Sequence, residues 1–256
     1  MHLTGHTILV TGGTSGIGRA LAEALHARGN AVIVAGRRQA LLDAVTAANP
    51  GMRGMRVDVA DAAELDAFAA RVREEVPELD VLLNNAGISR AEDLTDGGAH
   101  LADARAIIGT NVVAVLQLTA ALLPALLRRP RAAVVTTTSG LAFLPLADYP
   151  TYCASKAFLH SWLQSLRAQL RGTPVEVLEL VPPYVATELT GPAQANDPRA
   201  VPLADYVAEV MRLLEDPAPP RGEILVEAAR ALRFAERDGT YDAIFAERSR
   251  RPLHPR

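Results

Sequence analysis

Short apolar runs of β character alternate with longer helical stretches along nearly the whole chain. This alternation constrains the fold more than any other feature. The β-type runs fall at residues 7–11, 31–35, 56–59, 81–84, 133–137, 175–180 and 224–226. Helical periodicity occupies residues 17–28, 39–48, 61–76, 99–127, 151–171 and 205–214. Gly29, Asn49-Pro50, Pro77, Pro130 and Gly172 follow helix ends, and Asp61 is placed to cap a helix start. Strands covered on both faces read as unbroken apolar runs. The pattern therefore predicts an α/β fold: a doubly wound parallel sheet of about seven strands, with helices on both faces. No repeat or linker interrupts it. One domain, 1–256, is expected, with a core at 7–187, a loop region at 188–204 and a flexible tail at 248–256.

Composition excludes several classes. The net charge of −3 lacks the basic excess of a nucleic-acid binder. A single cysteine, Cys153, forbids an intrachain disulfide and fits a reducing cytoplasm. No apolar run is read as reaching the ~18 residues of a membrane span. Residues 1–7 lack the layout of a signal peptide. A cytoplasmic protein without nucleic-acid or membrane partners is expected.

In a doubly wound sheet, ligands sit outside the carboxyl ends of the strands. The first such end runs Thr11-Gly12-Gly13-Thr14-Ser15-Gly16-Ile17-Gly18, from strand into helix. Glycines allow close backbone approach, and a helix N-terminus offers free N–H groups to a pyrophosphate. Gly12, Thr14, Ser15, Gly16, Ile17 and Gly18 are candidate nucleotide contacts, with a purely structural turn as the alternative. The second strand ends Ala35-Gly36-Arg37-Arg38, with no carboxylate for a ribose 2′-OH. Guanidinium forks suit phosphate oxygens, so Arg37 and Arg38 point to NADP(H) over NAD(H). The alternative, in an arginine-rich chain, is that they are surface charges.

Of the 26 basic residues, one is lysine, Lys156, and 25 are arginine. Tyr152 stands four residues before it, so a helix places both on one face. A free phenol, with a pKa of about 10, is a poor base at neutral pH. A nearby ammonium is expected to lower that value and ready Tyr152 for proton transfer. None of the other four tyrosines has such a partner.

Several segments, taken together, resemble the classical short-chain dehydrogenase/reductase family from residue 7 to about 187. These are the glycine loop, Asn84-Asn85-Ala86-Gly87, Asn111 in the long helix, and Ser139 after the fifth strand. The Y-x-x-x-K segment Tyr152-Cys153-Ala154-Ser155-Lys156 completes the set. After the sixth strand the family often has P-G-x-x-x-T. Here Pro182-Pro183-Tyr184-Val185-Ala186-Thr187 puts proline in the glycine position, a form that resembles a DltE-like subgroup. Proline fixes φ and removes an N–H, so this loop should be stiffer.

The resemblance implies a Rossmann fold and an oxidoreductase moving hydride between NADP(H) and a carbonyl or alcohol. It implies that Tyr152 is the general acid/base and that Ser139 stabilises the same oxygen. Lys156 would hold the nicotinamide ribose, and Asn111 a water linking Lys156 to solvent. Asn85, Ala86 and Gly87 would line the cofactor, Asp58 and Val59 its adenine edge, and Pro182 and Thr187 its carboxamide. Asp58 could instead be a turn or cap carboxylate, and Ser139 a strand-end turn residue.

Phe143, Leu144, Leu146, Tyr149 and Tyr184, with the loop that follows, are the candidate substrate pocket; core packing is their alternative. Arg90 reads first as a surface charge, with contact to a substrate carboxylate as the alternative. The six histidines form no metal pattern, and no metal is expected. The stripe of Phe158, Leu159, Trp162, Leu163, Leu166 and Leu170 reads first as core. In the family this helix often pairs subunits, so a homodimer or homotetramer is expected. Rival readings are a non-catalytic NADP(H) sensor or scaffold, and an imine reductase or epimerase.

Overall fold

The computed structural model describes residues 3–216 and 219–250. The elements run β1 Thr7–Thr11, α1 Gly16–His26, β2 Ala31–Gly36, α2 Gln39–Ala48, β3 Arg53–Arg56, α3 Ala62–Glu75 and β4 Val81–Asn84. Then follow α4 Leu101–Ile108, α5 Ala114–Leu126, β5 Ala132–Thr137, α6 Pro150–Gln169 and β6 Val175–Val181. The chain continues with α7 Pro192–Ala195, α8 Leu203–Leu214, β7 Glu223–Leu225, α9 Arg230–Arg233 and α10 Tyr241–Arg250. The strands form one parallel sheet in the order β3-β2-β1-β4-β5-β6-β7. This is the doubly wound Rossmann topology, and its strand order reverses between β1 and β4.

The period-2 pleat sorts the apolar side chains into two cores. Ile8, Val10, Val32, Val34, Val81 and Leu83 pack with Leu21 and Leu25 of α1 and Val210 of α8. Leu9, Ile33, Leu82 and Val134 pack on the opposite face, with Phe68 of α3, Leu118 of α5 and Leu163 of α6. Along α6, Leu159, Leu163 and Leu166 are buried, as is Leu170 at its C-cap, whereas Phe158 is exposed.

Four expectations need correction. First, β3 lies at Arg53–Arg56 rather than 56–59, paired from Ile33↔Arg53 to Gly36↔Arg56. It is an edge strand with three of its four residues exposed, so it needs no apolar run. Second, residues 101–126 form one helical run, broken by a π turn at Gly109–Val113, that is long and apolar enough to cross a membrane. Half of its apolar window is buried inside the domain, where Leu118, Leu122 and Leu126 meet the sheet. Third, β6 carries a fully buried carboxylate, Glu179. Thr138 Oγ1 donates to it at 2.7 Å and His160 Nδ1 bonds it at 2.9 Å, which offsets its desolvation. Fourth, residues 248–250 belong to α10 rather than to a free tail. Residues 251–256 of the expected tail lie outside the described residues. The 188–204 region holds α7, the parallel bridge Val185↔Val201 and the start of α8.

Candidate active site

The loops leaving β1, β4 and β5 are tied together by side chains. Thr11 Oγ1 accepts the backbone N–H groups of Asn85 and Ala86 at 3.0 and 3.1 Å. The Asn85 amide donates to the Thr11 carbonyl at 3.3 Å and accepts from Thr137 Oγ1 at 3.2 Å. A Cβ on Gly12 would lie 2.9 Å from Ala86 Cα, and one on Gly18 would collide with the Asn85 amide and the Gly12 carbonyl. Gly12 and Gly16 hold φ of 65° and 53°, a region L side chains avoid. The glycines are thus required by the packing of the loop itself.

Ser15 is the N-cap of α1, yet its hydroxyl makes no capping bond. Among the described residues, the first-turn N–H groups therefore have no side-chain partner. Thr14 is buried against the end of β2, where a Cβ on Gly36 would lie 3.0 Å from Thr14 Cγ2; Ile17 packs on the core. Arg37 and Arg38 follow, exposed and outside every ion pair among the described residues. Uncapped N–H donors, a helix dipole and two free guanidinium groups make a donor set for phosphate oxygens. The residues present thus fit a nucleotide cofactor.

Asp58 takes up its turn alternative. Its Oδ1 accepts from Ala60 N–H at 3.0 Å, and its own N–H donates to Glu64 Oε1 at 3.0 Å. Val59 is half-buried against the core. Asp61 caps α3 as expected, accepting from Ala63 and Glu64.

Tyr152 and Lys156 lie one turn apart on α6, both buried. Glu92 holds the start of this helix: its carboxylate accepts the N–H and hydroxyl of Thr151 at 2.9 and 2.8 Å. No local pattern marks Glu92, because its partner is 59 positions away. The Tyr152 hydroxyl is hydrogen-bonded with Ser139. Ser139 Oγ also accepts from Leu141 N–H at 3.1 Å, so it is a turn residue as well. Gly140 N–H donates to the Pro182 carbonyl at 2.9 Å, joining this turn to the proline loop. Lys156 Nζ donates to the Thr137 carbonyl at 2.8 Å and stands 5.7 Å from the centre of the Tyr152 ring.

Gly87 lies between Asn111 and Lys156; a Cβ there would be 3.3 Å from Asn111 Oδ1 and 3.7 Å from Lys156 Nζ. Asn111, fully buried in the π turn, accepts from Ile88 N–H at 2.9 Å. It donates to the Ile88 carbonyl at 3.0 Å and to Ser155 Oγ at 3.1 Å. Both its amide hydrogens are committed, so its side chain clamps the β4 loop to α6. Thr187 reaches the glycine loop, 3.6 Å from where a Gly16 Cβ would be, and accepts from Gln194 Nε2 at 3.2 Å.

Burial raises the Tyr152 phenol above its ordinary value, and the Ser139 hydrogen bond offsets this only in part. The expected lowering by Lys156 is not met. That ammonium is turned to Thr137, and desolvation outweighs any field it exerts. Burial also pulls Lys156 itself from 10.5 down to about 8. Between those values the unfolded chain binds the proton that the folded chain has lost. Through this group, stability therefore rises with pH from about 8 to 10.5, relieving a cost of roughly 3 kcal/mol fully present below pH 8. As the only lysine, it will give one ¹³Cε-lysine NMR resonance whose titration midpoint lies near 8. A midpoint near 10.5 would contradict this burial.

Ser139 and Tyr152 open onto a cleft of about 510 Å³, its mouth included. Leu146, Tyr149, Pro182 and Tyr184 line it, as do Leu189, Thr190 and Gln194 of the loop region. Phe143 and Leu144 do not. The 3-10 turn Gly140–Ala142 sends Leu141 into the cleft instead. Phe143 packs edge-on to His160, with ring centres 4.6 Å apart, and Leu144 is fully buried. Ser89, Leu141, Leu232 and Arg248 are lining residues the sequence reasoning missed. The last two come from α9 and α10, which carry no strong periodic signal. Arg90 is paired with Asp103 on the surface.

Among the described residues, His160, Glu179 and Glu223 group their ligand atoms within 4.8 Å. Each carboxylate already has donors: Glu179 has Thr138 and His160, and Glu223 takes both forks of Arg233 at 2.7 and 2.8 Å. The cluster is built as an ion network. His6 pairs with Asp80 at 3.0 Å, and His2 lies outside the described residues.

The family model of the short chain dehydrogenases matches residues 6–198. The chain is 40% identical to the uncharacterized oxidoreductase DltE of Bacillus subtilis (strain 168) over 250 residues, covering 96% of this chain and 98% of that one. A short chain dehydrogenase from Burkholderia cenocepacia J2315, solved in complex with NADP, superposes with a TM-score of 0.80 at 25% identity; both chains are covered in full, 100% each. One from Burkholderia phymatum, in complex with NAD, gives 0.78 at 25% identity over 100% of this chain and 99% of that one. With the doubly wound sheet, the glycine loop and the Ser139–Tyr152–Lys156 group in place, this protein belongs to the short-chain dehydrogenase family of oxidoreductases.

Proposed function

We propose that this chain transfers hydride between NADP(H) and a carbonyl or alcohol substrate, with Tyr152 as general acid/base. The observation that carries the reading is the convergence of Ser139, Tyr152 and the sole lysine, Lys156, beside the glycine loop. The N–H groups of Gly12, Thr14, Ser15, Gly16, Ile17 and Gly18 would hold the pyrophosphate, and Arg37 and Arg38 the 2′-phosphate. Asp58 and Val59 would border the adenine, and Asn85, Ala86 and Gly87 the body of the cofactor. Lys156 would hold the ribose, with Pro182 and Thr187 at the carboxamide. When bound, the cofactor supplies the hydride.

A buried, protonated phenol is suited to giving its proton to a carbonyl oxygen. Tyr152 Oη–H donates that proton as the carbonyl carbon gains the hydride, and the alcohol forms. In the reverse direction Tyr152 takes the proton back. Ser139 Oγ–H donates to the same oxygen and stabilises its developing charge. The Asn111 side chain positions the loop and helix around Lys156; a water at this position would join Lys156 to solvent. The test is nucleotide oxidation against a panel of aldehydes and ketones. Turnover with NADPH exceeding that with NADH supports the reading; tight NADPH binding without turnover anywhere in the panel favours a sensor.

A homodimer or homotetramer fits the apolar side chains left on the helix surfaces: Leu101, Ile108, Val113 and Phe158, each 46–49% exposed. The double variant Val113→Glu/Phe158→Glu should run as a monomer in light scattering, where the wild type does not. A monomeric wild type would remove this expectation.

A further inference from the structure

Among the described residues, the cleft beside Ser139 and Tyr152 is lined by one charged side chain, Arg248 of α10, and by no carboxylate. Several arginines at the surface are paired, as Arg90 is with Asp103, Arg199 with Asp197 and Arg237 with Asp238. Arg248 has no ion pair among the described residues. Among the described residues, the ionisable groups whose charge acts on it are Cys153, whose thiol burial keeps protonated, and Glu247. Glu247 is exposed and adjacent in the helix, so it projects about 100° away. Arg248 itself is partly buried, and this burial lowers its pKa from the ordinary value. A guanidinium drawn out of water without an anion is costly, and a bound oxyanion offsets that cost. Its fork matches a carboxylate through two parallel hydrogen bonds. No residue of the glycine loop lines this cleft, so the cofactor's phosphates are not the anion at hand.

We propose that Arg248 anchors a carboxylate on the substrate, making the substrate an oxo acid or hydroxy acid rather than a neutral carbonyl compound. The inference rests on the oxidoreductase reading above. The carboxylate and the reacting carbonyl then belong to one molecule, held at Arg248 and at Ser139–Tyr152. Leu141, Leu146 and Leu232, which share the cleft, favour a short apolar body between the two groups. Arg248 is thus a specificity-determining residue supplied by the C-terminal helix.

Two measurements on the full chain loaded with NADP⁺ or NADPH test this. The first is calorimetric binding of 3-methylbutanoate against the neutral 3-methylbutanamide, in wild type and in Arg248→Gln and Arg248→Lys. Carboxylate binding is expected to exceed amide binding by about 10–100-fold, the worth of a charged hydrogen-bonded pair. Arg248→Gln should bring that ratio near one, and Arg248→Lys should restore part of it. The second is the ratio of kcat/KM for 4-oxopentanoate and its methyl ester, which should favour the acid and collapse in Arg248→Gln.

Equal binding of acid and amide, no carboxylate binding up to tens of millimolar, or equal loss for both probes in Arg248→Gln would overturn the anchor. Turnover without preference for the acid overturns it too, while leaving the oxidoreductase reading intact. Arg248-dependent carboxylate binding without any turnover keeps the anchor and removes the oxidoreductase reading instead.

Discussion

Tyr152→Phe lowers carbonyl reduction by roughly 10²–10⁴-fold, the usual contribution of a positioned proton donor, while NADPH affinity stays within about threefold. The expectation follows from geometry. The substitution removes one hydroxyl and keeps the ring, so α6 and the core around Leu146 and Tyr149 stay packed. The Ser139 hydroxyl keeps its bond from Leu141 N–H, and Lys156 keeps its bond to the Thr137 carbonyl. What disappears is the hydroxyl beside Ser139, the proposed proton donor. Single-turnover kinetics beside a fluorescence titration of NADPH separate the two effects. Turnover in the variant within tenfold of wild type would mean that another group supplies the proton. Lost NADPH binding would mean that the hydroxyl serves the fold.

Arg37→Asp weakens NADP(H) binding by about 100-fold and changes NAD(H) binding by less than about threefold. A charged hydrogen bond to phosphate contributes about 1.5–3 kcal/mol, and a carboxylate in its place adds repulsion of the 2′-phosphate. Arg37 is exposed and makes no ion pair among the described residues, so its removal leaves no buried charge behind. Titration of both nucleotides into wild type and variant reads the ratio directly. If both affinities fall together, Arg37 supports the loop and does not read the phosphate.

The residue order made most of the sheet legible because a parallel strand covered on both faces must be apolar throughout. β1, β4 and α2 fall at the expected residues, and the other central strands shift by only a residue or so at their ends. The rule fails at β3, where its premise fails, and at β6, where hydrogen bonds offset the burial of a carboxylate. β3 is an edge strand, and β6 buries Glu179 against Thr138 and His160. The site was legible for a related reason. The glycine loop, Ser139 and the Tyr152–Lys156 pair are short-range signals, readable as strand–loop–helix or as one helical turn.

By itself, then, the sequence determined the fold class, the glycine loop between strand and helix and the family, because each is written in local periodicity or in a compact motif. Only the tertiary structure decided what surrounds those groups. It placed Glu92 on the start of α6, committed the Asn111 amide to Ile88 and Ser155, and gave Asp58 a turn to hold. It raised the phenol that sequence spacing alone had lowered, because burial depends on everything packed around a side chain. It also brought Leu232 and Arg248 into the cleft from helices without a strong pattern. Contacts between residues far apart in the chain arise only when the elements pack, and no spacing rule reaches across them.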